Sequence, residues 1–177
     1  MAHVIYYVAS SLDGYIATAD GGIEWLTPFE GTGEDYGYAD FYASVQAVVM
    51  GRQTFAQVEG FEKWPFEGKP VVVFTHHPLR SRFPETTATS ESPAAVLTEL
   101  EGRGLQRVWL VGGGELAGSF RRDSLINEYL VTVIPVLLGA GVPLFAPPGL
   151  QEQLALTECR SFPNGAVQLR YLRGDSA

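Results

Sequence analysis

Val108-Trp109-Leu110-Val111-Gly112-Gly113-Gly114-Glu115-Leu116 is the stretch on which the reading of the fold turns. An uncharged, β-rich run ends in three consecutive glycines, and helix-compatible sequence follows over residues 115–120. A buried strand of this kind delivers the backbone to a place where side chains are excluded, at the first amides of a helix. A dinucleotide phosphate suits that place; so does a tight strand-to-helix turn packed against its neighbours. The triplet is not Gly-x-Gly-x-x-Gly, and no acidic residue ends a neighbouring strand at the spacing that fingerprint requires, which argues against a Rossmann domain.

Working outward, residues 47–50 read as a short buried strand that Gly51-Arg52-Gln53-Thr54-Phe55 turns into a helix. Gly51 permits close approach, the first helical amides point outward, Arg52 supplies a cation and Thr54 a hydroxyl, a set able to hold a phosphate. An ordinary helix start beside a surface arginine is the other reading. Residues 71–75 form the next strand, and His76-His77-Pro78-Leu79-Arg80 makes a polar exit from it. Adjacent histidines rarely point at one centre and no carboxylate or cysteine stands at ligand spacing, so no metal site is expected. Hydrogen bonding or charge pairing to a ribose phosphate is a better use for them, unless they are plain loop residues.

Before these segments, residues 3–9 read as a central strand, apolar throughout rather than alternating. Asp13-Gly14 and Asp20-Gly21-Gly22 are turns, with Asp13 read as structural. The loop between them and Ile23-Glu24-Trp25-Leu26 either carries Tyr15 and Trp25 over a ligand or is a surface hairpin whose Trp25 caps the core. The spacing predicts a helix over residues 34–45 despite Gly37, with Asp35, Ala39 and Tyr42 on one side. That arrangement aims the Asp35 carboxylate at a pocket; equally, an acid at a helix start is stabilised by the amides there.

The remaining segments alternate strand and helix: an edge strand within 83–89, a helix over 93–100 capped by Ser92, and a strand over 128–134. Strands over 154–159 and 167–172 close the chain as an antiparallel hairpin about Pro163-Asn164-Gly165. This order gives a layered α/β fold on a mainly parallel sheet. Residues 1–174 are read as one domain and 175–177 as a flexible tail.

The 177 residues suffice for a core without disulfides, and the net charge of −8 with no basic run argues against nucleic acid or a membrane as partner. The lone Cys159 is expected to face the core. No leader-like or membrane-spanning stretch is seen, so a cytoplasmic protein is expected.

Four segments in this order resemble the dihydrofolate-reductase-like superfamily, on the bacterial branch that includes the reductase domain of the riboflavin-biosynthesis deaminase/reductase. They are Ser11-Leu12-Asp13-Gly14-Tyr15-Ile16-Ala17, Met50-Gly51-Arg52-Gln53-Thr54-Phe55, Val111-Gly112-Gly113-Gly114-Glu115-Leu116 and Ile134-Pro135-Val136-Leu137-Leu138-Gly139-Ala140-Gly141. The resemblance implies a three-layer fold with a central, mostly parallel mixed sheet and a C-terminal antiparallel hairpin, and NADPH across the strand ends. It implies phosphate contacts at Gly51, Arg52 and Thr54, pyrophosphate contacts at Gly112, Gly113, Gly114, Glu115 and Leu116, and discrimination of the 2′-phosphate at Thr75, His76, His77 and Arg80. Ala9 and Ile16 match positions lining the nicotinamide side.

By the same resemblance Asp35 matches the carboxylate that holds a pterin or pyrimidine edge and promotes ring protonation during hydride transfer. Tyr15, Trp25 and Tyr42 are aromatic candidates for binding a small planar heterocycle. Two departures matter: Tyr15 stands where riboflavin-type reductases commonly carry a basic residue, and the zinc deaminase half is missing. The expected activity is an NADPH-dependent reduction of a pteridine, folate-like or aminopyrimidine substrate. The alternative is a nucleotide- or pterin-binding protein that kept the fold without turnover. The resemblance implies a homodimer, since related reductases are commonly dimers, and residues 131–138 are apolar enough for such a contact or for an intramolecular core.

Overall fold

The computed structural model describes residues 2–31, 33–147, 149 and 151–174, so the tail read at 175–177 lies outside the described residues. In chain order the elements are β1 (His3–Ser11), β2 (Tyr15–Ala17), a 3₁₀ turn (Glu24–Phe29), α1 (Tyr38–Ser44), β3 (Ala47–Gly51), α2 (Arg52–Glu59), β4 (Val71–Phe74) and β5 (Thr86–Thr89). They continue as α3 (Pro93–Gly102), β6 (Arg107–Gly112), α4 (Gly114–Arg122), β7 (Glu128–Ile134), β8 (Val142–Pro143), β9 (Leu154–Ser161) and β10 (Val167–Arg173). Eight strands form one sheet in the order β5-β4-β3-β6-β1-β7-β10-β9, parallel up to β7 and antiparallel through the closing hairpin. The strands β2 and β8 make a separate small antiparallel sheet. This is the α/β architecture expected from the alternating segments.

The apolar runs of the central strands are explained by two buried faces. On one face Val4 and Tyr6 of β1, Ala47 and Val49 of β3, and Val108 and Leu110 of β6 meet Val96, Leu97 and Leu100 of α3 and Ala117 and Phe120 of α4. On the other, Ile5, Val48, Met50 and Trp109 meet Phe41 of α1 and Phe55 and Val58 of α2. Alternation along each strand sends successive residues to opposite layers, so neither face can be polar. Helix α3 begins as its sequence predicts, with the Ala95 N–H donating to Ser92 Oγ at 3.3 Å and Pro93 in the first turn.

Three expectations change. The helix read over residues 34–45 begins only at Tyr38, because Tyr36 (φ 53°) and Gly37 (φ 73°) adopt left-handed conformations that no right-handed helix contains. Cys159 is exposed, not in the core, because β9 is the outer edge strand and its side chains from residue 155 onward face solvent. The apolar run 131–138 is divided: Val131 and Ile134 are buried within the sheet, whereas Leu137 is 70% exposed.

Where the sheet turns antiparallel, the buried carboxylate of Glu128 accepts from Arg170 Nε at 2.7 Å and from His3 Nε2 at 3.2 Å. Arg170→Ala leaves that carboxylate desolvated with only the imidazole. We expect a loss of about 3 kcal/mol, the low end for a broken buried pair because Arg170 is partly exposed. Urea unfolding measures it; an unchanged midpoint means that the pair contributes nothing.

Candidate active site

The glycine segments come together because β3 and β6 are adjacent and parallel while their following helices pack on opposite faces of the sheet. A crevice opens at the carboxyl ends of such a pair. Met50 is registered against Gly112, and the Gly113 N–H donates to Thr54 Oγ1 at 3.1 Å, joining the two segments directly. Gly112 (φ +147°) and Gly113 (φ +21°) hold backbone conformations that disfavour a side chain, and a Cβ on Gly112 would meet nothing within 4 Å. The space beside the strand end is therefore open. No side chain caps the N-terminus of α2 or α4, which leaves the amides of the first turns for an incoming anion.

Gly114 serves a different purpose, since a Cβ there would lie 2.5 Å from the Pro143 carbonyl oxygen. It allows α4 to start against β8. Glu115 is exposed in the first turn of α4, and Leu116 packs towards the core. Arg52 Nη1 donates to the Pro78 carbonyl at 3.1 Å, tying the start of α2 to the exit of β4. Thr75 Oγ1 accepts from the His77 N–H at 3.1 Å, and His76, His77 and Arg80 are exposed in that same loop. Arg52 and Arg80 thus bring two cations to the segments that follow β3 and β4.

Beside it, on the face carrying α1 and α2, lies a cavity of about 240 Å³. Its floor is formed by Tyr7, Val8 and Ala9 of β1, Trp109 of β6, and Thr132 and Ile134 of β7. Leu26 and Phe29 of the 3₁₀ turn, with Glu30 and Tyr36, complete it. Strand β6 contributes both Trp109 to the cavity and Gly112 to the crevice. Three steps along the strand separate them by roughly 10 Å, a distance an extended dinucleotide spans.

Polar groups at the cavity are few and mostly engaged. Gln168 Nε2 donates to Thr132 Oγ1 and to the Tyr36 carbonyl, both at 3.0 Å. The Tyr36 hydroxyl donates to the Phe29 carbonyl at 3.0 Å and is contacted by Asn164 Nδ2. Burial, reinforced by the neighbouring Tyr38 and Asp35, pushes the Tyr7 hydroxyl up to about 12, so it remains a protonated donor at neutral pH.

Of the residues singled out from sequence, Ala9 alone lines this cavity. Asp35 stands outside α1, and its two carboxylate oxygens accept from the N–H groups of Gly37 (2.9 Å) and Ala39 (3.3 Å). Those bonds hold its carboxyl below the usual carboxylate range. Tyr42 is half-buried beside the cluster around Trp109; its hydroxyl donates to the Glu67 carbonyl at 2.9 Å, and Lys69 Nζ lies 4.4 Å from the ring centroid. Trp25 packs on the small cluster of Ile134, Phe162 and Ala166. Tyr15 and Ile16 belong to β2, where Tyr15 pairs with Pro143.

Asp13 is structural, but not through its own turn alone. It accepts from Ser11 Oγ (2.6 Å) and from the distant N–H groups of Leu138 (3.1 Å) and Gly139 (2.7 Å). Tyr7, Phe29, Glu30, Tyr36, Trp109, Thr132 and Gln168 were not singled out by the sequence reading. The signal available for them was strand alternation, which puts Tyr7 and Ala9 on one face but does not say what covers it.

The model of the RibD C-terminal domain matches residues 2–168. The chain belongs to that family. The RibD C-terminal domain is the reductase domain, with a dihydrofolate-reductase-like fold. An uncharacterized protein of Bacillus subtilis, YwjB, is 39% identical over 170 residues, which cover 96% of this chain and 97% of YwjB. The riboflavin biosynthesis protein RibD of Mycobacterium tuberculosis is 30% identical over 159 residues, 80% of this chain but 44% of that longer protein. A crystal structure from Shewanella sp. PV-4, of a protein provisionally assigned to riboflavin biosynthesis, superposes with a TM-score of 0.88. It is 28% identical and the match covers 99% of this chain and 100% of that one. Among the described residues no helix is long and apolar enough to cross a membrane, and no three His, Cys, Asp or Glu side chains are grouped to hold a metal ion.

Proposed function

We propose that this RibD C-terminal domain is an NADPH-dependent reductase of a small planar heterocycle. The observation that carries the reading is the Gly113 N–H to Thr54 Oγ1 bond, which joins the glycine-led starts of α2 and α4 at a strand-order crevice next to an aromatic cavity. The residues suit the cofactor: Gly51, Gly112 and Gly113 leave room for a pyrophosphate, and the amides at the starts of α2 and α4 donate to it. Arg52, Thr75, His76, His77 and Arg80 would hold the 2′-phosphate.

NADPH supplies the hydride when bound. The protein orients a ring between Trp109, Phe29 and Tyr36, keeps water from its buried face, and offers the protonated Tyr7 hydroxyl as a donor. Asp35 is assigned a positioning role, since its carboxylate binds the N–H groups that follow Tyr36 and so holds that residue over the cavity. The test is titration with NADPH and NADH of the wild type and of Arg52→Ala, followed by a screen of heterocycles for NADPH oxidation. NADPH is expected to bind in preference to NADH, and Arg52→Ala to weaken it by roughly ten- to a hundredfold, ~1.5–3 kcal/mol for a charged hydrogen bond. Saturable binding of neither nucleotide sinks the reading.

A further inference from the structure

We infer that Gln168 is a positioning residue: it fixes the hydrogen-bond polarity of the cavity floor, so that Thr132, together with Tyr7, presents a hydroxyl proton to an acceptor on the ligand ring. This deepens the reading of the cavity as the substrate site and rests on it. Ala9 of β1, Thr132 of β7 and Gln168 of β10 are partners in the register of three adjacent strands, so their side chains stand in one row on the face that floors the cavity. The two polar members of the row are buried, Thr132 at 4% and Gln168 at 5% exposure, where an unspent hydrogen-bonding group costs stability.

The direction of each bond follows from the groups themselves. The Tyr36 carbonyl can only accept, so the end of the Gln168 amide that faces it at 3.0 Å is the nitrogen. The second proton of that nitrogen goes to Thr132 Oγ1, also at 3.0 Å. Thr132 therefore accepts from Gln168 and keeps its own proton, for which the described residues supply no acceptor, and it lines the cavity. Gln168 acts as a donor towards Tyr7 as well: burial, the largest influence, pushes the Tyr7 hydroxyl up to about 12, and the amide works against it. The Tyr36 carbonyl that sets this polarity is aimed by the left-handed backbone of Tyr36 (φ 53°) and by the Asp35 bonds to the N–H groups of Gly37 and Ala39. The floor thus presents two hydroxyl protons, and the group that matches them is a carbonyl oxygen or an unprotonated ring nitrogen.

The experiment measures quenching of tryptophan fluorescence by uracil, by lumazine and by aniline, a planar ring with an amino group and no carbonyl. The proteins are the wild type, Thr132→Val, Thr132→Ser, Gln168→Glu and the double variant Thr132→Val/Gln168→Glu. NADPH is titrated in parallel, and urea unfolding verifies that each variant is folded. Uracil or lumazine is expected to bind, and more tightly than aniline. Thr132→Val weakens the carbonyl probe about tenfold, the loss of one buried hydrogen bond, and Thr132→Ser restores it. Gln168→Glu puts an acceptor beside Thr132 Oγ1 and draws its proton away from the cavity. It weakens the same probe about tenfold, but by less than about threefold in the Thr132→Val background, and aniline binding changes by less than about threefold throughout. A Gln168→Glu loss of equal size in both backgrounds, or an equal loss for aniline, gives Gln168 a merely structural role and overturns the inference. So does unchanged carbonyl-probe binding in Thr132→Val, or binding of neither carbonyl probe. If Gln168→Glu is unfolded, Gln168→Met, which keeps the side-chain length and removes the donors, enters the cycle with coupling of the same sign expected. Carbonyl-probe binding with this coupling but without NADPH binding supports the inference while sinking the reductase reading; NADPH binding with no carbonyl probe bound does the reverse.

Discussion

Trp109→Ala is expected to lower the unfolding free energy by about 4 kcal/mol and to abolish heterocycle binding. The indole is 7% exposed, and the rings of Phe41, Phe66, Tyr38, Tyr7 and Tyr42 surround it at centroid distances of 5.2, 5.4, 5.9, 6.0 and 6.4 Å. Its Nε1–H donates to the Tyr7 carbonyl at 3.1 Å, tying β6 to β1 beneath the cavity. Five rings packed on one cannot all collapse into the space it leaves, so transfer and cavity costs add. Trp109→Phe retains most of the ring contacts and leaves the Tyr7 carbonyl without that donor, for a loss of about 1–2 kcal/mol. Urea unfolding with matched slopes decides the matter: a loss below about 1 kcal/mol for the alanine variant would mean that Trp109 is no hub.

Gly114→Ala is the second large effect, and it separates packing from phosphate binding at the glycine triplet. The new methyl would stand 2.5 Å from the Pro143 carbonyl oxygen and 3.6 Å from Val142 Cγ1. The close atom is backbone, so the start of α4 or the small β2–β8 sheet must shift. Overpacking of this kind costs about 1–3 kcal/mol. Because the N-cap glycine next to it donates to Thr54, the shift also misaligns the amides proposed for the pyrophosphate, and NADPH affinity is expected to fall more than tenfold. Gly118→Ala is the control within the same helix: its methyl would approach the Ala146 carbonyl at 3.2 Å, a contact that a few tenths of an ångström relieve. Equal NADPH affinity in Gly114→Ala and wild type would mean that the start of α4 does not touch the cofactor.

Residues whose behaviour is set by chain neighbours were legible in advance. The strand over 128–134, the Ser92 cap of α3 and the turn at Gly165 (φ +87°) follow from period, capping chemistry and backbone freedom. Asp35 was harder. Helical spacing put it beside Tyr42, but the left-handed Tyr36 and Gly37 interrupt that spacing, and Asp35 ends as an acceptor for the N–H groups of Gly37 and Ala39. Glu30 left no trace in the sequence, because a lone acid in a loop has neither period nor partner until a cavity forms beside it.

The sequence by itself determined the central strands, the closing hairpin and the capped start of α3, and that backbone rather than side chain occupies residues 112–114, since these follow from the patterning, capping and backbone freedom of chain neighbours. Only the tertiary structure decided which strand face each helix covers, that Cys159 lies on an open edge, and which residues enclose the cavity. Tyr7 and Trp109 lie 102 residues apart and meet through the register of β1 on β6. Strand register and layer assignment are set by packing across the whole sheet, and no local stretch of chain contains that information.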